Sequence, residues 1–273
     1  MEDLSGRVAV VTGAASGLGA AMAGRFVDEG MRVVLADIDA EGLDDVRTAL
    51  QRRGGDCRAV VTDVSQAADV ERLADEAFDG GAVHLLCNNA GVVKSARVWA
   101  LTVDDWQWVL GVDLWSVIHG IRAFVPRMLA QGGPGHIVNT ASMTGLLPMP
   151  RLAAYSAAKS AVVALSESLQ HDLVAEGSQI GVSVFCPGFI ATRITDSARN
   201  RPVALAETAA ASGPRTVSGV QATMTAGEGA DQVVRAVRSG AFWILTHPDY
   251  DPVIRARAAG IVHGERPPVP PVL

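Results

Sequence analysis

The chain has 273 residues, 49% of them hydrophobic and 19% charged, with a formal net charge of -6. That length and composition suit one large buried core and exclude a disordered or fibrous chain, and an acidic chain without a basic stripe is a poor nucleic-acid ligand. Cys57, Cys87 and Cys186 are far apart and the histidines lack ligand spacing, which argues against a disulfide framework or metal site; no run approaches the roughly 18 apolar residues of a membrane span, and the acidic start is unlike a signal peptide, so a reducing, cytoplasmic setting is expected.

In chain order, short apolar runs at residues 8–11, 32–36, 58–62, 85–87, 136–140, 181–186 and 242–246 read as strands. Most are rich in Val, Ile or Leu on both parities, as expected where both faces are covered. Between them, residues 17–29, 40–53, 66–78, 103–131, 151–176 and 228–239 read as helices. This alternation implies right-handed crossovers and an open, doubly wound parallel sheet of about seven strands, an α/β fold. Residues 1–263 form one expected domain. Within it, 192–227 is rich in Ala, Ser, Thr, Gly and Arg and reads as a substrate lid or an irregular helical insertion. Residues 264–273 hold four prolines and form an extended tail, either a surface arm or an arm on a neighbouring subunit.

The first strand runs into Thr12-Gly13-Ala14-Ala15-Ser16-Gly17-Leu18-Gly19, and a helix follows. Glycines here permit a tight turn and let backbone N–H groups approach a pyrophosphate, which then meets the positive end of the helix dipole. The second strand ends at Asp37, where a carboxylate accepts ribose hydroxyls and repels a 2′-phosphate. No Arg follows at 38 or 39, and Ser16 stands where a basic residue often helps, so NAD is favoured over NADP. Asp39 reads equally as the next helix's N-cap.

Tyr155 and Lys159 stand four apart at the start of a helix, so they share a face. A lysine ammonium beside a phenol favours the phenolate, which suits a tyrosine to exchange a proton with a substrate hydroxyl. Ser142 follows the strand at 136–140 and sits where open sheets bind ligands, placed to hold a substrate oxygen. Val93, Trp99, Met143, Leu147, Met149 and Phe189 follow strand ends and point to a hydrophobic, alicyclic or terpenoid-like secondary alcohol.

The set Thr12 to Gly19, Asp63-Val64, Asn88-Asn89-Ala90-Gly91, Ser142, Tyr155-Ser156-Ala157-Ala158-Lys159 and Pro187-Gly188, in this order, resembles the short-chain dehydrogenase/reductase family over about residues 5–245. The resemblance implies a single three-layer Rossmann domain that binds NAD(H) or NADP(H) without metal. It implies that Gly13, Ser16, Gly17, Leu18 and Gly19 form the phosphate turn. Asp63 and Val64 would hold the adenine and Asn89 would lie beside the adenine ribose, with Ala90 and Gly91 also contacting the cofactor. Tyr155 and Lys159 would reach the nicotinamide ribose, and Pro187, Gly188, Ile190 and Thr192 the nicotinamide side. Ser142 would polarise the carbonyl or hydroxyl, and Tyr155 would be the general acid/base. The expected reaction moves a hydride between NAD and a hydrophobic secondary alcohol or ketone, in a homotetramer or homodimer.

One position departs from the family pattern. Asp113 stands where the family has a catalytic asparagine in a proton relay. Ionised, it opposes formation of tyrosinate and moves the pH–rate profile to alkaline pH; neutral or paired, it is tolerated. The alternatives to an NAD-dependent dehydrogenase are an NADPH-dependent ketone reductase, disfavoured by Asp37, and a catalytically impaired NAD-binding homologue, for which Asp113 is the support. A methyltransferase shares the first turn but has no need of Ser142, Tyr155 and Lys159 together.

Overall fold

The structure, a computed structural model, describes residues 1–202, 205 and 222–268. In chain order the strands are β1 (Val8–Thr12), β2 (Arg32–Asp37), β3 (Cys57–Val61), β4 (Leu85–Asn88), β5 (Gly135–Thr140), β6 (Ile180–Cys186), β7 (Ile190–Ala191), β8 (Met224–Thr225) and β9 (Trp243–Leu245). The helices are α1 (Gly17–Asp28), α2 (Ala40–Arg52), α3 (Ala67–Asp79), α4 (Val103–Leu110), α5 (Ser116–Gln131), α6 (Met143–Leu146), α7 (Ala153–Ala175), α8 (Ala226–Ser239) and α9 (Asp251–His263). Seven strands form one sheet in the order β3-β2-β1-β4-β5-β6-β9, with every neighbouring pair parallel.

Both faces of the sheet are covered, which is why its strands are rich in apolar residues on both parities. Val11 and Leu35 pack with Leu18, Met22 and Phe26 of α1 and Val233 and Val237 of α8. On the opposite face, Val10, Val34 and Leu86 pack with Leu73 of α3, Phe124 and Met128 of α5, and Leu169 and Leu173 of α7. Each fully buried side chain of this size contributes about 1.5–3 kcal/mol, so two such layers dominate the fold energetics. Across the second layer runs a buried polar row. Asn88 Nδ2 donates to Asn139 Oδ1 at 2.9 Å, and Asn139 Nδ2 donates to Ser166 Oγ at 3.0 Å. Gly120 of α5 lies so close to this row that a Cβ there would sit 2.2 Å from Asn88 Oδ1.

The strand order reverses between β1 and β4, and the crevice above their carboxyl ends is where such sheets bind ligands. This is the doubly wound, Rossmann-type architecture expected from the sequence.

Three features differ from expectation. The single helix expected over residues 103–131 is α4 and α5 joined by a π-helical turn, Gly111–Trp115, which carries Asp113 inward. Its apolar pattern is continuous, so the break leaves no trace in periodicity; the wider turn is fixed by the side chains it buries. Val103–Gln131 is long and apolar enough to meet the length and composition of a membrane span, contrary to the sequence expectation, but Val117, Phe124 and Met128 are spent on the core. Second, α9 was not anticipated. Pro252 reads as a breaker, but it occupies the first turn of the helix, where proline is tolerated, and Gly264 closes it at φ 72°. Third, the proposed lid at 192–227 is not uniform. Its described parts are a short 3₁₀ segment, Ile194–Asn200, the β8 strand paired with β7, and the start of α8 capped by Thr225 and Glu228. Residues 203–204 and 206–221 lie outside the described residues, as do 269–273 of the Pro-rich tail.

Candidate active site

Every residue expected to hold the cofactor, from Gly13 to Thr192, lines one cleft of about 420 Å³ at the carboxyl edge of the sheet. The turn after β1 is built by necessity of glycine. Gly13 has φ 69°, and a Cβ there would lie 2.8 Å from the Ala90 Cα. A Cβ at Gly19 would lie 2.1 Å from the Gly13 carbonyl oxygen. The close approach of the two loops is fixed by Thr12, whose Oγ1 accepts from the N–H groups of Asn89 at 2.9 Å and Ala90 at 3.1 Å. Asn89 Nδ2 donates back to the Thr12 carbonyl at 3.0 Å. Thr12 was not singled out from the sequence, although its place in the turn motif was the available signal. Ser16 makes no side-chain cap, so the first turn of α1 faces the cleft with its backbone donors uncovered by a side chain.

Asp37 lies at the end of β2 on the cleft wall. Its Oδ2 accepts from Ala15 N–H at 2.9 Å and its Oδ1 from Asp39 N–H at 3.0 Å, which ties the strand end to the glycine turn. Asp39 is the N-cap of α2 and accepts from Gly42 N–H at 3.1 Å. The Asp63 carboxylate accepts from the Ser65 backbone at 3.0 Å and hydroxyl at 2.7 Å, presenting Val64 to the cleft. This cradle fits a dinucleotide: the space that side chains would fill is kept open by glycine, and anion-seeking backbone meets a carboxylate suited to ribose hydroxyls.

Ser142, Tyr155 and Lys159 come together on the wall of the cleft. Ser142 caps α6 by accepting from Thr144 N–H at 3.1 Å, and its hydroxyl acts to lower the Tyr155 phenol. Lys159 is buried, with its Nζ 5.7 Å from the centre of the Tyr155 ring and donating to the Thr140 carbonyl at 3.0 Å. Burial pushes the Tyr155 phenol above its ordinary value, the Asp113 carboxylate adds to this, and the Ser142 hydrogen bond opposes it. The Asp113 charge thus acts on the phenol in the direction expected of it when ionised, and burial acts the same way. Burial likewise lowers the Lys159 ammonium, against the Asp113 charge that raises it.

Asp113 is fully buried behind the cleft wall. Its Oδ1 accepts from Val92 N–H at 2.8 Å, and its Oδ2 has no hydrogen-bond partner among the described residues. Gly91 fits between it and Lys159: a Cβ there would lie 3.2 Å from Asp113 Oδ1 and 3.6 Å from Lys159 Nζ. Burial raises the Asp113 carboxyl to about 6, with the Lys159 charge and the Val92 N–H holding it lower than burial alone would.

The apolar end is formed by Val93, Met143, Leu147, Met149 and Phe189, together with Trp108, Leu152, Leu205 and Tyr250 that sequence reasoning missed. Trp108 and Tyr250 belong to segments whose approach to the cleft is set only by tertiary packing. Trp99 is corrected: it is 79% exposed, stacked under Arg97, and does not line the cleft.

The family model for short chain dehydrogenases matches residues 7–203. The chain is 41% identical over 244 residues to 1-deoxy-11-beta-hydroxypentalenate dehydrogenase of Streptomyces avermitilis, covering 88% of this chain and 84% of that relative. It is 34% identical over 255 residues to the C alpha-dehydrogenase of a Sphingobium species, covering 91% and 83%. A short chain dehydrogenase/reductase from Burkholderia phymatum, solved in complex with NAD, superposes with a TM-score of 0.93 at 41% identity, covering 99% of both chains. The fold and these likenesses define an oxidoreductase of the alcohol dehydrogenase type. The chain belongs to the short-chain dehydrogenase/reductase family.

Proposed function

We propose that the protein oxidises hydrophobic secondary alcohols to ketones with NAD, using Tyr155 as general base. The observation that carries this reading is one continuous cleft with the glycine turn and Asp37 at one end, and Ser142, Tyr155 and Lys159 under apolar walls at the other. Bound NAD supplies the carbon that accepts the hydride, on a ring whose positive charge favours ionisation nearby. The turn from Gly13 to Gly19, with Asp37, Asp63, Val64, Asn89, Ala90 and Gly91, would hold its adenosine half, and Pro187, Gly188, Ile190 and Thr192 its nicotinamide half. Ser142 and Tyr155 hold the alcohol oxygen from two sides. The Tyr155 phenolate takes the hydroxyl proton as the carbinol C–H bond breaks and C=O forms. Lys159, anchored by the Thr140 carbonyl, keeps a positive charge beside that phenolate. Apolar walls exclude water and select a substrate skeleton without charge. The name of the Streptomyces relative, a dehydrogenase of a hydroxylated compound, and the NAD held by the Burkholderia protein support the same reading.

The protein works as a homotetramer or homodimer in the cytoplasm, where its three buried free cysteines stay reduced. Residues 1–263 act as one unit, and the chain's negative charge leaves small molecules rather than nucleic acid as its ligands. A second reading, a catalytically impaired NAD-binding homologue, rests on Asp113. The test is absorbance of reduced cofactor with NAD or NADP and a panel of cyclic and linear secondary alcohols. NAD-dependent turnover of apolar alcohols is expected; saturable NAD binding without turnover of any alcohol would favour the second reading.

Asp113 gives a prediction of its own. An acid whose folded pKa is raised from 3.8 to about 6 loses folded-state stability as pH rises through that window, because the ionised form is disfavoured only in the fold. Asp113→Asn is expected to gain stability relative to the parent between pH 4 and 7.5, by at most about 3 kcal/mol. Its acid limb of alcohol oxidation is expected at lower pH, because the charge that raises the phenol is gone. Thermal melts and kcat/KM across pH check both; a stability difference independent of pH, with coincident rate profiles, would mean that Asp113 is uncharged throughout.

A further inference from the structure

The segment after β7 contributes Ser197, Pro202 and Leu205 to the apolar wall of the cleft. It is fastened at two points. Ser197 Oγ accepts from Val93 N–H at 2.9 Å and donates to the Val93 carbonyl at 3.3 Å. Farther along, Arg201 Nη1 meets Asp105 Oδ1 at 2.6 Å, with the two side chains only 7% and 2% exposed. The other Asp105 oxygen accepts from Thr102 N–H at 3.0 Å and completes the capping box of α4. The Arg201 guanidinium also lies 5.1 Å from the centre of the Trp108 ring, and its Nε donates to the Leu205 carbonyl. Trp108 lines the cleft, and Trp108, Val92, Leu205 and Tyr155 pack in one apolar cluster.

A buried ion pair gains little over an apolar pair of the same shape, because desolvation offsets the attraction; what it does fix is geometry. A planar guanidinium that both pairs with a carboxylate and lies over an indole fixes more of it than any lysine would. Here that geometry ties three elements at one point: the first turn of α4, the indole wall, and the chain at Leu205.

We propose that Arg201 is a positioning residue for the substrate: through Asp105 and Trp108 it sets the wall against which the alcohol's hydrocarbon skeleton packs. This rests on the reading of the cleft as an alcohol dehydrogenase site. Arg201 touches neither the reacting atoms nor the cofactor half of the cleft, so its loss acts on the alcohol's KM and on discrimination between skeletons. NAD affinity and the chemical step stay as they were.

The experiment uses the full chain with NAD and its best alcohol from the panel. Arg201→Gln and Asp105→Asn are each expected to raise the alcohol KM about tenfold, with kcat within about threefold and NAD affinity within about twofold. The double substitution is expected to be no worse than either single one, because both break the same contact. Arg201→Lys keeps the charge but not the stack, and falls in between; it also carries the test if Arg201→Gln does not fold. Thr102→Ala, which weakens the α4 cap without touching Arg201, leaves KM unchanged. Tryptic cleavage after Arg199 in the folded protein gives a readout without turnover and is expected to be at least about tenfold faster in the Arg201 variants. Additive effects, a KM rise in Thr102→Ala, or a parallel loss of NAD affinity and kcat would overturn the proposal. If the parent turns over no alcohol, the function reading fails by itself, while unchanged cleavage at Arg199 would sink the positioning role.

Discussion

Tyr155→Phe is expected to lower kcat for alcohol oxidation by about 10²- to 10⁴-fold while NAD affinity changes little. The substitution removes one oxygen from a ring that is already packed against Val92 and Trp108, so the wall it forms is retained. What is lost is the group that takes the proton. Ser142 keeps its hydroxyl and still caps α6 through Thr144, but it has no base to pass a proton to. The distinguishing feature is where the loss falls: chiefly on kcat, with the alcohol's KM raised only by the loss of one hydrogen bond and the cofactor's Kd near its parent value. Stopped-flow or steady-state absorbance of reduced cofactor, together with quenching of protein fluorescence by NAD, separates the two. A fall in NAD affinity equal to the fall in kcat would mean that Tyr155 is a cofactor-binding residue first.

The second large effect concerns Asp37. A carboxylate at the end of β2 accepts from Ala15 and Asp39 N–H groups and faces the cleft. A 2′-phosphate brought against it meets like charge at close quarters, which costs several kcal/mol. Asp37→Arg removes the repulsion and supplies a phosphate ligand, and is expected to shift the kcat/KM ratio of NAD to NADP by about 10²- to 10³-fold toward NADP. The value for NAD falls and the gain for NADP is partly offset, because the Ala15 and Asp39 N–H groups lose their acceptor and the turn loosens. Asp37→Ala separates repulsion from attraction: it recovers only the part of the shift due to like charge. A ratio that does not move in either variant would place the adenosine ribose elsewhere.

Much of this was legible in the sequence, for physical reasons that can be named. The seven strands of the sheet stand out because most are covered on both faces and so are rich in Val, Ile or Leu on both parities, and each expected bound lies within one residue of the observed one. The glycine turn is legible because only glycine tolerates the contacts at Gly13 and Gly19. The cluster of Ser142, Tyr155 and Lys159 is legible because the helix period places two of them on one face and the strand end places the third.

What was not legible depends on contacts that have no local pattern. The π turn at Asp113 interrupts a continuous apolar repeat. α9 has weak amphipathic character and a proline where a breaker is the ordinary reading. Trp99 resembles the other apolar residues that follow strand ends, yet its ring is taken up by Arg97 at the surface. Arg201 and Asp105 are 96 positions apart and meet only because the chain returns over α4. The raised phenol was legible only in part: the sequence shows the lysine four residues on and the carboxylate at 113, but not the burial that acts in the same direction as that carboxylate.

The central claim is that the carbinol hydrogen of an apolar secondary alcohol passes as hydride to NAD over Tyr155 and Ser142. The most direct measurement is mass spectrometry of the reduced cofactor after reaction with an alcohol deuterated at the carbinol carbon, with NAD in excess. The account predicts reduced NAD one mass unit heavier and a ketone without the label, both lost in Tyr155→Phe. Reduced cofactor without deuterium, or label retained in the product, would contradict it.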